Sequence, residues 1–173
     1  MPKLIENQHA LPTARLRYGL RRSSASGCGW IAVYNALALM GYEAEPEDLI
    51  RALEHQPPMV NGCFGTMLWS PAQCFHRWGF PTKMVTKWVR FDEEAKRAAV
   101  CILFYRWRRG LKSGAHFVAL QYTESGFVGY NTFRNSTGPD RYGPSLEQWL
   151  QKHAYFGAVL TTVDPIKCKS GIF

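Results

Sequence analysis

Ser26-Gly27-Cys28-Gly29-Trp30-Ile31-Ala32-Val33-Tyr34-Asn35-Ala36-Leu37-Ala38-Leu39-Met40 is the stretch that decides the fold. Ile31, Val33, Tyr34, Leu37 and Met40, with Ala32, Ala36 and Ala38 between them, make a helix that is apolar on nearly every side. Such a helix is buried. Gly29 to Met40 is therefore expected at the centre of the molecule, with Gly41 as its C-cap. Cys28 then stands at the N-terminus of a core helix, with a glycine on either side.

Outward from this stretch, residues 1–22 carry no clear periodicity and read as an irregular arm. Pro46-Glu47-Asp48 starts a second helix running to about Glu54, with proline in the first turn and acids complementing the dipole. A loop with Pro57-Pro58 and Asn61-Gly62 follows. Ser70-Pro71 opens a third helix through Trp78, stopped by Gly79. Strand-like runs come next: Lys83 to Val89, Val100 to Trp107, His116 to Tyr122 and Phe127 to Asn131, the last two joined by Thr-Glu-Ser-Gly. Ser145 N-caps a helix from Leu146 to Lys152, and a strand from Tyr155 to Val163 closes the chain. Helices first and strands later predict an α+β fold, with the Cys28 helix packed on an antiparallel sheet, in one domain over 1–173.

Composition narrows the class. At 173 residues, 46% apolar and 20% charged, the chain buries a core without staples. No apolar run reaches the roughly 20 residues of a membrane span, and no secretory signal is visible, so cytoplasm is the expected compartment, with export by another route left open. Five Cys without regular spacing argue against a disulfide framework. Cys74 and His76 are the one close Cys/His pair, and they read as a helix turn with Cys74 inside rather than as metal ligands. Cys101 reads as a small hydrophobe in a strand.

Net charge is +8, concentrated in two clusters: Arg15, Arg17, Arg21 and Arg22 before Cys28, and Arg106, Arg108, Arg109 and Lys112 before His116. These are either two solvated loops or a positive rim that steers an acidic partner. No nucleic-acid-binding motif accompanies them.

The chemistry rests on three residues. A thiol attacks as its thiolate, and the first turn of a helix points free N–H groups and partial positive charge at whatever sits there. With an imidazolium in reach, Cys28 is expected to ionise below neutral pH. Gly27 and Gly29 leave room for a substrate carbonyl, and the Cys28 N–H is a candidate oxyanion donor. His116 supplies the imidazole at the head of its strand. If the strands pair, the side-chain carbonyl of Asn131 accepts from the second ring nitrogen and holds the ring toward the sulfur. His9, His55, His76 and His153 are assigned no catalytic role.

On these residues the chain resembles the small papain-like cysteine peptidases that cleave double-glycine leaders from bacteriocin precursors, together with their stand-alone relatives. The likeness runs from about Ser26 to Val163. Cys28-Gly29 heads an apolar helix ending at Gly41; an acidic helix follows at Pro46 to Glu54. Then come Gly65-Thr66, a short helix to Gly79, His116-Phe117-Val118 after a strand, and Asn131 on the next strand. The resemblance implies a papain-like fold and hydrolysis of a peptide bond in a peptide or protein substrate, without metal or organic cofactor, Cys28, His116 and Asn131 acting as a triad. Oxyanion and substrate contacts are expected from Arg22, Ser23, Ser26, Gly27, Gly29 and Trp30. Two positions depart from the family. Arg22 stands where a Gln usually completes the oxyanion hole, with Gln8 distant in sequence on an arm that could fold back. Trp30 stands where Pro is common and is expected to crowd the groove. The same triad also suits acyl transfer to an amine, and the Arg at position 22 also suits a catalytically inactive peptide-binding module.

Overall fold

The computed structural model describes residues 3–56, 65–154 and 157–166. The loop read over His55 to Phe64 falls mostly outside them. Helix α1 (Ser23–Ser26) leads through Gly27 into α2 (Cys28–Leu39), followed by α3 (Pro46–Glu54) and α4 (Ser70–Arg77). The arm is not wholly irregular: after a 3-10 turn at Thr13–Arg15, β1 (Arg17–Tyr18) and β2 (Arg21–Arg22) form a small antiparallel ribbon.

The remaining strands are β3 (Thr82–Val85), β4 (Val100–Arg109), β5 (Lys112–Thr123), β6 (Gly126–Tyr130), β7 (Asp140–Gly143) and β8 (Ala158–Val163). They make one antiparallel sheet in the order β3-β8-β4-β5-β6-β7. The chain is thus α+β. His116 lies inside β5, four residues past its start, and not at its head.

Successive side chains of a strand point to opposite faces, and here both faces are buried. Val100 and Ile102 of β4 with Phe117 and Ala119 of β5 meet α2, α3 and α4 on one side. Cys101, Leu103, Val118 and Leu120 meet the other side, which is covered by α6 (Leu146–His153) and by α5 (Phe91–Arg97), a helix that the sequence reading passed over. The strand expected through Val89 accordingly stops at Val85. Helix α5 is short. Its acids Asp92, Glu93 and Glu94 occupy the first turn and Lys96 and Arg97 the last, as the dipole favours, and Phe91 and Ala95 share its buried face. The Asp92 carboxylate accepts the Leu146 N–H at 2.6 Å, tying α5 to the start of α6.

Helix α2 is buried as its composition predicts, with Trp30, Ile31, Val33, Ala36 and Leu37 fully enclosed. Each such aliphatic side chain contributes about 1.5–3 kcal/mol by leaving water, and Leu37→Ala should cost about 2–5 kcal/mol. Its one buried polar side chain, Asn35, is matched: Oδ1 accepts from the Ile5 N–H and Nδ2 donates to the Ile5 carbonyl, both at 2.8 Å. That pair lays the arm along α2. No described helix is long and apolar enough to cross a membrane.

Candidate active site

The junction between α1 and α2 prepares the sulfur's surroundings. Gly27 keeps helical angles (φ −80°, ψ −3°), so the backbone barely turns. Gly27 N–H still donates to Ser23 O (2.8 Å) and Ile31 N–H to Gly27 O (3.1 Å). The N–H groups of Cys28 and Gly29, at the head of α2, are close enough to the sulfur to favour its anion. The third donor is the Phe117 N–H of β5, the residue after His116. It is available because the β5–β6 ladder ends at Ala119 and Tyr130. The half-buried thiol therefore sits where β6 peels away from β5, beside the strand that carries His116.

Asn131 is what makes β6 peel away. It adopts φ 63°, the left-handed region that Asn tolerates better than most residues. Its backbone carbonyl turns toward His116 and accepts from Nε2 at 2.6 Å. A carbonyl can only accept, so Nε2 carries the proton of the neutral ring and Nδ1 is the basic nitrogen. The structure thus unites His116 with Asn131 but corrects the expected contact. The Asn131 side chain is engaged elsewhere: Oδ1 accepts from the Gln8 N–H (2.8 Å) and Nδ2 donates to Gln8 Oε1 (3.1 Å). The arm has folded back, and Gln8, with its amide also donating to Ser24 O at 3.0 Å, is a site residue that sequence spacing placed too far off. His9 follows it to the neighbourhood of His116, and burial, then Arg134 and then His116, hold its pKa below the usual imidazole value.

Electrostatically the pair rests uncharged. Burial pushes the Cys28 thiol up, opposed by the three N–H donors. Burial pushes the His116 imidazole down, opposed by the Asn131 carbonyl. Among the described residues no hydrogen bond joins the thiol to the ring. A thiol ionised below neutral pH, the expectation from the helix dipole, is therefore not the resting state. Desolvation outweighs the dipole at Cys28. Two phenols stand near: Tyr105, whose ring meets that of His116 edge-on at 6.1 Å, and Tyr18, whose pKa is raised to about 12, chiefly by burial.

Most of the expected oxyanion and substrate contacts are taken by the protein itself. Trp30 is fully buried and donates from its indole to Ser23 Oγ at 3.0 Å, so it lies in the core and crowds no groove. Ser26 is buried, with its hydroxyl on the Arg22 carbonyl at 3.4 Å. Arg22 itself is exposed on β2. The space beside Gly29 is filled, since a Cβ there would come 2.0 Å from Thr66 Oγ1. At Gly27 a Cβ would come 2.6 Å from Ser23 O. Both glycines serve close packing of the chain on itself and not the approach of a substrate. Thr66 in turn donates to the Tyr18 hydroxyl at 3.1 Å, tying the ribbon to the residue that packs against Gly29.

Elsewhere, Cys74 is buried in α4 with His76 exposed, and Cys101 is buried in β4, as their patterns suggest. Among the described residues no group of His, Cys, Asp and Glu is arranged to hold a metal ion. Two surface cavities lie away from Cys28: one of about 230 Å³ at the β4–β5 hairpin, lined by Arg106, Trp107, Arg108, Leu111 and Ser113, and one of about 430 Å³ between α4 and β3. No family model matches the chain, and no curated protein matches it.

Proposed function

We propose that this chain is a papain-like cysteine peptidase or amidase that works through Cys28 and His116, with Asn131 orienting the ring by its main-chain carbonyl. One observation carries the reading: the thiol at the start of α2 lies against β5 beside Phe117, the residue after His116, whose ring is held by the Asn131 carbonyl. Sulfur attacks the substrate carbonyl as His116 Nδ1 takes the thiol proton. The tetrahedral oxyanion collapses to a thioester as the imidazolium returns that proton to the departing amine. Water then adds with His116 again as base, releasing the acid and restoring the thiol. The N–H groups of Cys28 and Gly29 are the oxyanion donors nearest to hand. An acidic peptide segment is the substrate class that suits the exposed Arg17, Arg21 and Arg22 on the ribbon beside the site and Arg109 and Lys112 on the hairpin beyond His116.

A second reading, a binding module that has lost turnover, draws on the uncharged pair without a mutual hydrogen bond. Labelling with an iodoacetamide-type probe at pH 6 and 7, with mass-spectrometric assignment, separates the two. The peptidase reading expects Cys28 to outpace the other thiols and to slow sharply in His116→Ala. Cys28 reacting no faster than an unfolded-chain thiol, with no dependence on His116, sinks it in favour of the binding module.

A further inference from the structure

Gln8 is 8% exposed and Asn131 2%, so the bonds they exchange are shielded from water. The Gln8 side chain spans two otherwise separate pieces of the site. At one end its Nε2 holds the Ser24 carbonyl. In an unbroken α-helix that carbonyl would accept from the N–H four residues on, which belongs to Cys28. The Gln8 bond therefore sits on the turn that leads into Cys28. At the other end Gln8 pairs twice with the Asn131 amide and so holds the left-handed turn whose carbonyl receives His116 Nε2.

We propose that Gln8 is a positioning residue for the site: it braces the turn that leads into Cys28 and fixes the carbonyl that orients His116. The arm is then a working part of the site. The catalytic consequence rests on the peptidase reading; the geometric one rests on the hydrogen bonds alone.

Two variants and a control test this with two readouts, the ring tautomer of His116 from ¹⁵N NMR and the alkylation rate of Cys28 against pH. The titratable groups shown to face His116 are Tyr105 from β4 and His9 from the arm, and neither is changed. Gln8→Ala removes the bonds to Ser24 O and from Asn131 Nδ2 and leaves only the main-chain bond to Asn131 Oδ1. Gln8→Glu keeps the acceptor for Asn131 Nδ2 but removes the donor to Ser24. Tyr34→Phe loosens the arm elsewhere, at the Lys3 carbonyl, and serves as the control.

Wild-type and Tyr34→Phe proteins should show His116 as a single Nε2–H tautomer with equal alkylation. Gln8→Ala should mix the tautomers and slow alkylation about 10²-fold. Gln8→Glu should slow alkylation with the tautomer intact, and it decides the matter if Gln8→Ala does not fold. Gln8 variants with wild-type tautomer and wild-type alkylation overturn the inference. Mixed tautomers in Gln8→Ala, together with peptide turnover that survives Cys28→Ala, leave the positioning role standing and remove only the peptidase reading.

Discussion

Cys28 and Cys101 are both held against the central sheet, and burial raises the pKa of both, yet their surroundings differ. Cys101 lies in mid-strand, 1% exposed, opposite Leu120 and Thr162, with the Asp164 carboxylate adding to the rise. It is enclosed, without a donor for its anion, and close to a negative charge. Cys28 lies where a ladder has ended, half-buried, with three N–H groups aimed at the sulfur and no carboxylate acting on it. Desolvation alone silences a thiol. A nucleophile needs donors and access as well, and both become available where β6 leaves β5.

The contrast can be broken most severely at the sulfur. Cys28→Ala should abolish probe labelling and peptide turnover, while Cys101→Ala should leave both unchanged, as read by mass spectrometry and a peptide-cleavage assay. Next in size, His116→Ala should cut turnover by about 10²–10⁴. Gly29→Ala should cost about 1–3 kcal/mol in urea unfolding, because the new methyl meets Thr66, whose hydroxyl is tied to Tyr18. Asn131 offers a finer discrimination. Asn131→Gly should be more stable than Asn131→Ala by about 1–2 kcal/mol in urea unfolding, since both lose the side-chain bonds to Gln8 and only alanine is strained at φ 63°.

The smallest effect is a matter of pH. A His116 pKa lowered in the fold gives stability that is present above about pH 6.5 and lost as pH falls toward the folded value. A Cys28 pKa raised in the fold gives stability that is present below about pH 9 and lost as pH rises. Urea midpoints should therefore be flat between these limits and decline outside them. Cys28→Ala and Cys101→Ala should each soften the alkaline decline and leave the acid one, because each removes a thiol whose proton the fold retains.

Sequence alone conveyed the elements whose signals are local. Helix α3 runs from Pro46 to Glu54 as its proline, acids and apolar spacing dictate, and α2 is buried because it has no polar side to offer water. Helix α5 escaped because it is only seven residues long, and its charge order is a weaker signal than a cap. β7 has a single buried residue and no alternation to read. The pairing of His116 and Asn131 was legible from the hairpin between them, but the contacting atom was not: spacing says nothing about which oxygen a left-handed residue presents. Gln8 was illegible for a different reason. Its partners at Ser24 and Asn131 are joined to it only through the completed fold, and an irregular arm has no period from which to deduce where it lies.

The β4–β5 hairpin runs on past the end of β6. Among the described residues, 112–115 of β5 have no strand on their outer side, and Leu111 at the tip is fully exposed. Such an unzipped border invites a second molecule to add itself to the ladder. Arg109 and Lys112 at its end make two like-charged copies repel before they can align. Concentrated salt should therefore promote self-association by this border, and the basic cluster doubles as a guard against it.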